Sequence, residues 1–442
     1  MLSKKVEYTV DDFYFFKIGP MWRYFKSEHP AFWLICGYLF FEYFRPQALY
    51  PAIAILPWSQ VLLLGSLAFS FFDQKSRLSW TTAHTLIVLY TVQIYMSFIF
   101  AYDVSWSKYY ISNFYPWIII FFVTTYIVTT PERFYLLLMV FFVCTLKLAI
   151  GTALIWARRG FAFTPWGIMG PQGFFQNSGE LAIQMLIMFS LSIYLYKAFK
   201  GSNISLKERL ILLVSVVTPI MTVLGASSRG SQLALPILIL LVFGKKILNI
   251  KNILILVFAL ASIWAVLPDA QKDRFSSMGS DGTSAQRLAY WTRGIEMIAE
   301  HPIMGVGYYN FIPYFTDFYS EDIGFRNREG ELVAELPHNI IIQIGTDAGI
   351  TAILIFLMLV VHLSRSKLND SDTTLKFIEK GLALGVVGFF IAGQFVTVTY
   401  YPFIWIAAAL ITSLRSSVRI DKNAKSARSA ILVATRERTT EN

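Results

Sequence analysis

The stretch from Leu336 to Leu363, LPHNIIIQIGTDAGITAILIFLMLVVHL, decides the fold. Behind a short polar head it stays apolar for longer than the roughly 20 residues a helix needs to cross a hydrocarbon core. Asn339, Gln343 and Asp347 interrupt it at i, i+4 and i+8, so they form one polar stripe descending from the head. Comparable apolar stretches recur on both sides. They predict an all-α, polytopic membrane protein with about twelve spans, near 31–44, 53–72, 82–101, 111–129, 134–156, 180–197, 208–224, 231–244, 252–267, 338–363, 378–397 and 400–416.

Composition agrees. Of 442 residues, 55% are apolar, 16% aromatic and only 15% charged, whereas soluble domains run nearer a quarter charged. The net charge of +10 does not mark a nucleic-acid protein, because the cations sit in short loops between apolar segments. With the N-terminus in the cytoplasm, 26 of the 38 Lys and Arg fall inside and 11 outside, leaving Lys147 within the fifth span. That is the positive-inside bias. It divides the chain into a cytoplasmic amphipathic N-terminus (1–30), spans one to nine (31–267), a long outer loop with a short amphipathic helix (268–337), spans ten to twelve (338–416) and a basic cytoplasmic tail (417–442).

Residues 1–30 hold no long apolar run and do not read as a cleavable signal. The tail is expected to stay unstructured near anionic lipid. Cys36 and Cys144 lie within apolar segments and read as buried small hydrophobes.

Four polar features share the outer face. In the first, Pro337 suits the opening turn of a helix, which puts His338 at the positive end of the helix dipole. There a neutral imidazole can take a proton from a sugar hydroxyl, and the same helix end favours anions. Asn339 lies beside it, and Asp347, deeper in the span, needs a partner. The bland alternative is an interfacial histidine that merely caps the helix. The second feature is Ala226–Ser231, where Arg229 stands in a tight turn among hydroxyls and glycine, able to offer a planar fork to phosphate.

The third lies in the long loop. Thr283 and Gln286 have capping-box spacing, and Leu288, Trp291, Ile295 and Ile298 recur at helical intervals. Arg287 and Arg293 ride on this predicted helix, Arg287 as a phosphate ligand and Arg293 as a solvated face. His301-Pro302 ends the helix, and Gly305-Val306-Gly307 supplies a turn. The fourth feature runs from Arg158 and Arg159 to Asn177 and Glu180, a candidate floor for an anionic or sugar ligand. Lys147 adds an intramembrane charge, which by default marks function, although pairing with Glu180 or Asp347 would be structural.

No Walker loop, HExxH or GxSxG occurs, and Asp269, Asp273 and Asp281 are too dispersed for a DxD-like metal pair. The chemistry is therefore read as metal-independent, without cofactor, with arginine stabilising the anion.

Taken in order, Gly173-Phe174-x2-Asn177, Ser228-Arg229-Gly230, Arg287-x3-Trp291, His301-Pro302-x2-Gly305-Val306-Gly307-x2-Asn310-Phe311 and His338-Asn339-x7-Asp347-x-Gly349 resemble the O-antigen ligase and polysaccharide polymerase superfamily. The resemblance covers about residues 160–350, and the family usually has Glu where this chain has Asp347. It implies a GT-C-like glycosyltransferase of the bacterial inner membrane, working in the periplasm for lipopolysaccharide or exopolysaccharide assembly. Its donor would be a glycan on undecaprenyl diphosphate. His338 would be the general base or acceptor-orienting group, with Arg229 and Arg287 on the donor diphosphate.

Three acceptors remain open: a lipid A core oligosaccharide, a second lipid-linked repeat, or a protein hydroxyl. A transporter or flippase of lipid-linked sugars is the rival class. Such proteins tend to have symmetric halves and helices broken near the midplane; here the polar groups gather on one face.

Overall fold

The computed structural model describes residues 8–440 except 165, 245–248, 250–253, 255–260, 262–264, 266–271, 273–281, 325, 327–329 and 369–372, and backbone only at 283, 428 and 430–440. Among the described residues the architecture is all-helical, with no strand beyond one isolated bridge between Arg326 and Leu332. The helices are α1 (Ile18–Ser27), α2 (Pro30–Tyr43), α3 (Trp58–Ser70), α4 (Thr82–Ile99), α5 (Val104–Tyr110), α6 (Tyr115–Ile127), α7 (Pro131–Arg158), α8 (Ser178–Phe199), α9 (Leu206–Gly225), α10 (Arg229–Phe243), α11 (Gly282–Glu300), α12 (Phe311–Phe318), α13 (Ile340–Ser364), α14 (Thr373–Ala392) and α15 (Pro402–Thr440).

Among the described residues, seven helical segments are long and apolar enough to cross a membrane: α4, the α5–α6 run, α7, α8, α9, α13 and the first part of α15. The chain is a polytopic membrane protein. Eleven of the twelve expected stretches coincide with helices, several of them shorter than a full span, and 252–267 lies largely outside the described residues.

Local chemistry sets the helix ends. Thr130 caps α7 ahead of Pro131, Asn177 caps α8, and Ser205 with Glu208 forms a capping box on α9. α8 is buried along most of its length and packs chiefly against α14. Gly381 and Gly385 permit that approach: an added Cβ would lie 3.0 Å from the Leu191 Cα and 3.2 Å from the Ile187 Cα. Small residues at such a seam let helix backbones pack closely where lipid removes the hydrophobic drive.

Two expectations are corrected here. The tail after residue 416 is helical rather than unstructured, because α15 runs on to Thr440. Among the described side chains its last buried residue is Val418, but the residues beyond contain neither Gly nor Pro and are rich in Ala, Arg and Lys, which favour helix. Span ten is also broken. Ala348 leaves the helical region, and Gly349 has φ 78° and ψ −178°.

The carbonyls freed at that break are met by protein. Val306 N–H donates to Thr346 O at 2.7 Å, Gln93 Nε2 to Ala348 O at 2.9 Å, and Ser97 Oγ to Asp347 O. Ile350 N–H in turn reaches Pro302 O at 2.8 Å. The His301–Gly307 turn is therefore a plug for the break. Gly305 and Gly349 have no room for a Cβ, since each would collide with backbone of the opposing segment.

At the opposite end of the bundle, Arg133 is fully buried. It bonds Glu28 at 2.5 and 2.9 Å, Asp73 at 2.6 Å and the Ile127 carbonyl at 2.8 Å. This clamp ties α7 to the segments before α2 and after α3. Burial opposes charge on Glu28, but Arg133 and Lys75 hold its carboxyl below the usual range.

Candidate active site

Helix α13 starts at Ile340, not at His338. Asn339 is its cap, with Oδ1 accepting from Ile341 N at 2.8 Å and Ile342 N at 3.1 Å. His338 therefore stands just before the cap, in the left-handed region at φ 50°. Its N–H donates to Thr397 Oγ1 at 3.0 Å, which helps hold this uncommon backbone state. The ring is 31% exposed, with Nε2 3.8 Å from Glu335 Oε2. The neighbouring His338 lowers the Glu335 carboxyl below its ordinary range, burial opposes, and Arg287 adds to the lowering.

Helix α11 lies over this turn. Trp291 Nε1 donates to Pro337 O at 2.7 Å, and the Tyr290 hydroxyl accepts from Glu335 N at 3.0 Å. Arg287 stands one turn before Trp291 on the same helix, half-buried and near enough to Glu335 to bias its charge. Another turn back, Ser284 Oγ accepts from Arg229 Nη1 at 3.4 Å. Arg229 opens α10. Arg229 with Ser284, Arg287 one turn further along α11, and Glu335 with His338 thus lie in succession along one side of the turn.

The floor beneath these residues is the break between α14 and α15. Span eleven does not reach 397: α14 ends at Ala392, one 3₁₀ turn covers Gly393–Phe395, and Val396 is extended. Gly393 and the β-branched run Val396–Thr399 explain the stop. A Cβ on Gly230 would come within 2.7 Å of Phe395, and one on Gly179 within 3.0 Å of Val396 and 3.6 Å of Ser228 Oγ. Trp291 also meets Phe395, with ring centroids 6.3 Å apart. The starts of α8 and α10, the middle of α11 and the turn before α13 therefore converge on Phe395–Thr397.

The other expected residues fall in different places. Asn177 is at the convergence, but its Oδ1 caps Gly179 N at 2.7 Å. Asp347 is fully buried below the turn and accepts from the Tyr400 hydroxyl at 2.8 Å, so tyrosine, not Lys147, is its partner. Lys147 reaches neither Glu180 nor Asp347; its Nζ lies 3.4 Å from Phe44 O and 4.4 Å from the Phe44 ring centroid. Arg158 and Arg159 end α7 exposed, with no hydrogen bond or ion pair to the convergence among the described residues.

The loop helix departs in detail too. Gln286 does not complete a capping box: its amide bonds Asp322 O at 2.8 Å and Gly324 N at 2.6 Å. Leu288 and Ile295 point outward, and the buried seam is Tyr290, Gly294 and Met297. Arg293 is paired with Asp322 at 2.6 Å and Glu296 at 2.9 Å, in keeping with a solvated face. Asn310 pins the loop, accepting from Asp103 N at 2.6 Å and donating to Ser107 Oγ at 2.6 Å.

Sequence reasoning missed Glu335, Ser284, Thr397 and the Arg45 guanidinium, which presses on Gly173 where a Cβ would sit. The Glu335-x2-His338 spacing was a readable signal for the first; the rest depend on long-range packing.

Fold and site together define a polytopic helical membrane protein with an arginine- and histidine-bearing turn at one end of the bundle. Residues 214–357 match a family model described as O-antigen ligase. The resemblance to the O-antigen ligase and polysaccharide polymerase superfamily holds over this segment and supports an enzyme of O-antigen ligase type. The segment contains Arg229, Arg287, His338, Asn339 and Asp347, and leaves out Lys147, Arg158, Arg159 and Asn177. Among curated proteins none matches the chain.

Proposed function

We propose that the chain is a metal-independent glycosyltransferase that moves a glycan from undecaprenyl diphosphate to an acceptor hydroxyl, at the periplasmic face of a bacterial inner membrane. One observation carries the reading: segments bearing Arg229, Arg287 and His338, far apart in sequence, converge on Phe395–Thr397. Both termini lie in the cytoplasm, and residues 268–337 form the long periplasmic loop.

In the reaction His338 takes the proton of the acceptor hydroxyl while its oxygen attacks the anomeric carbon. The bond from that carbon to the diphosphate oxygen breaks, and the electron pair leaves with the lipid diphosphate. Guanidinium groups of Arg229 and Arg287 stabilise the charge that grows on this leaving group, so they act more strongly on the transition state than on the bound donor. Attack opposite the leaving group inverts the sugar carbon. Asn339 orients the histidine turn through its cap, and Asp347 anchors the helix break beneath it.

The acceptor is a growing polysaccharide or a lipid A core, with a protein hydroxyl as the alternative within the same chemistry. The flippase reading gains a broken helix at Ala348–Gly349, but that break is packed by Pro302, Val306, Gln93 and Ser97 rather than opened to a path.

The test is the purified protein in lipid vesicles with an undecaprenyl-diphosphate oligosaccharide and candidate acceptors. The wild type is expected to release lipid diphosphate and form glycosylated product. His338→Ala and Arg229→Ala should lose at least about a hundredfold in rate while remaining folded and inserted. Wild-type turnover in either variant would remove the site assignment.

A further inference from the structure

The end of the bundle opposite His338 carries a cavity of about 720 Å³ between the start of α4, the end of α13 and the middle of α15. Its wall includes His362, Lys367, Arg415, Arg419 and Lys422, together with Trp80 and Thr85, and no carboxylate among the described residues. Such a wall is expensive to assemble, because like charges repel at short range.

Of the acids described nearby, Glu379 and Asp421, neither neutralises it. Glu379 is buried and already accepts from Arg415 Nε at 2.7 Å, Ser366 Oγ at 2.7 Å and the Lys367 and Leu368 amides at 3.0 Å. Asp421 is paired with Lys425 at 2.7 Å. Arg415 is a fixed part of the wall, since its remaining donors hold the carbonyls of His362, Leu363 and Arg365. Arg419 reaches Ser79 Oγ at 2.5 Å, Lys367 Nζ lies 3.3 Å from His362 Nδ1, and Lys422 is exposed. The charge is felt at Lys367: burial, then Arg415 and Arg365, push its ammonium below the ordinary lysine range, with only Glu379 opposing.

We infer that this groove binds the phosphate-bearing headgroup of an anionic phospholipid, with Lys367, Arg419 and Lys422 as its charged contacts. A lipid is favoured over free phosphate because apolar surface adjoins the rim. Trp80 is 53% exposed at the edge, and Leu78, Met358 and Val361 are exposed beside the lining residues. An exposed tryptophan beside cations is the pattern of a membrane interface, where the ring sits at headgroup level and the cations above it hold phosphate. A zwitterionic choline headgroup would bring its own cation into the same wall and lose that attraction.

The experiment measures thermal unfolding of the full-length protein, delipidated in neutral detergent, against added phosphatidylglycerol, phosphatidylcholine or inorganic phosphate. Phosphatidylglycerol should raise the midpoint by several degrees in a saturable way, with the other two giving little. In Lys367→Gln/Lys422→Gln, which gives up the Lys367 Nζ contact with His362 Nδ1 at 3.3 Å, the phosphatidylglycerol affinity should fall about fivefold for each cation removed. Adding Arg419→Gln should weaken it further. An equal rise with phosphatidylcholine, an equal rise with inorganic phosphate, or undiminished affinity in the folded double variant would each overturn the assignment.

Discussion

Two ends of the bundle gather arginine, and they handle it in opposite ways. Arg133 is sealed from solvent and bonds two carboxylates and a carbonyl at 2.9 Å or less. At the His338 end the guanidinium groups are half-buried, Arg229 meets a neutral hydroxyl at 3.4 Å, and His338 stands 3.8 Å from a carboxylate that is half exposed. The first arrangement leaves no approach for a ligand and serves the fold. The second keeps charge accessible on elements fixed by packing, as a site for a phosphorylated substrate requires. Abundance of arginine therefore says little; what separates the two is whether the charge is reachable.

The sharpest way to break this contrast is at Arg133. Arg133→Ala takes the buried guanidinium from Glu28 and Asp73 and leaves them Lys75 and Ser76 as partners, a change that costs up to about 3–5 kcal/mol. The expected result is a large fall in the unfolding midpoint and in the yield of inserted protein, with activity lost only as folded protein is lost. A variant that unfolds at the wild-type temperature would show that the clamp is not structural.

Much of this was legible beforehand, and the exceptions have physical reasons. The helices at 131–158 and 178–199 follow from long apolar runs and good caps, and the turn at Gly305–Gly307 from its glycines. Arg133, by contrast, counts in the sequence as one more loop cation, because its two partners are 60 and 105 residues away. The break at Ala348–Gly349 hides in an apolar helix pattern, since the plug that stabilises it comes from residues 302–306 and from Gln93 and Ser97. Of the residues assigned to the site, Arg229, Arg287, His338 and Asn177 sit on the segments that meet at this end. Lys147 does not, because an intramembrane lysine can satisfy itself on a nearby helix end, here Phe44.

A smaller effect sharpens the other side of the comparison. Arg229→Lys keeps the charge but removes the planar fork. If the outer arginines hold a diphosphate, the loss is one or two charge-assisted hydrogen bonds, about 1.5–3 kcal/mol or roughly ten- to a hundredfold in product formation. The unfolding midpoint should stay near wild type, because lysine keeps the charge at a half-buried position. A variant that loses stability and activity together would place Arg229 with Arg133, as a structural residue.

The smallest effect concerns Glu335. Its carboxyl is held below the ordinary value of 4.5 by the neighbouring His338 and by Arg287, against burial. A carboxyl lowered in the folded state contributes stability that is fully present above its unfolded value and disappears as pH falls through the folded value. The side chain is 49% exposed, so solvent screening limits the contribution to about 0.2–1 kcal/mol. Glu335→Gln should therefore lower the unfolding midpoint slightly at neutral pH, and the gap from wild type should close as pH falls below 4.5. Turnover should drop less than about tenfold, because Glu335 stabilises the imidazolium that forms when His338 takes the acceptor proton, and raised salt should narrow the difference. A gap that persists unchanged in acid would mean that Glu335 acts through packing, and the half-exposed carboxylate would then belong to the fold rather than to the histidine beside it.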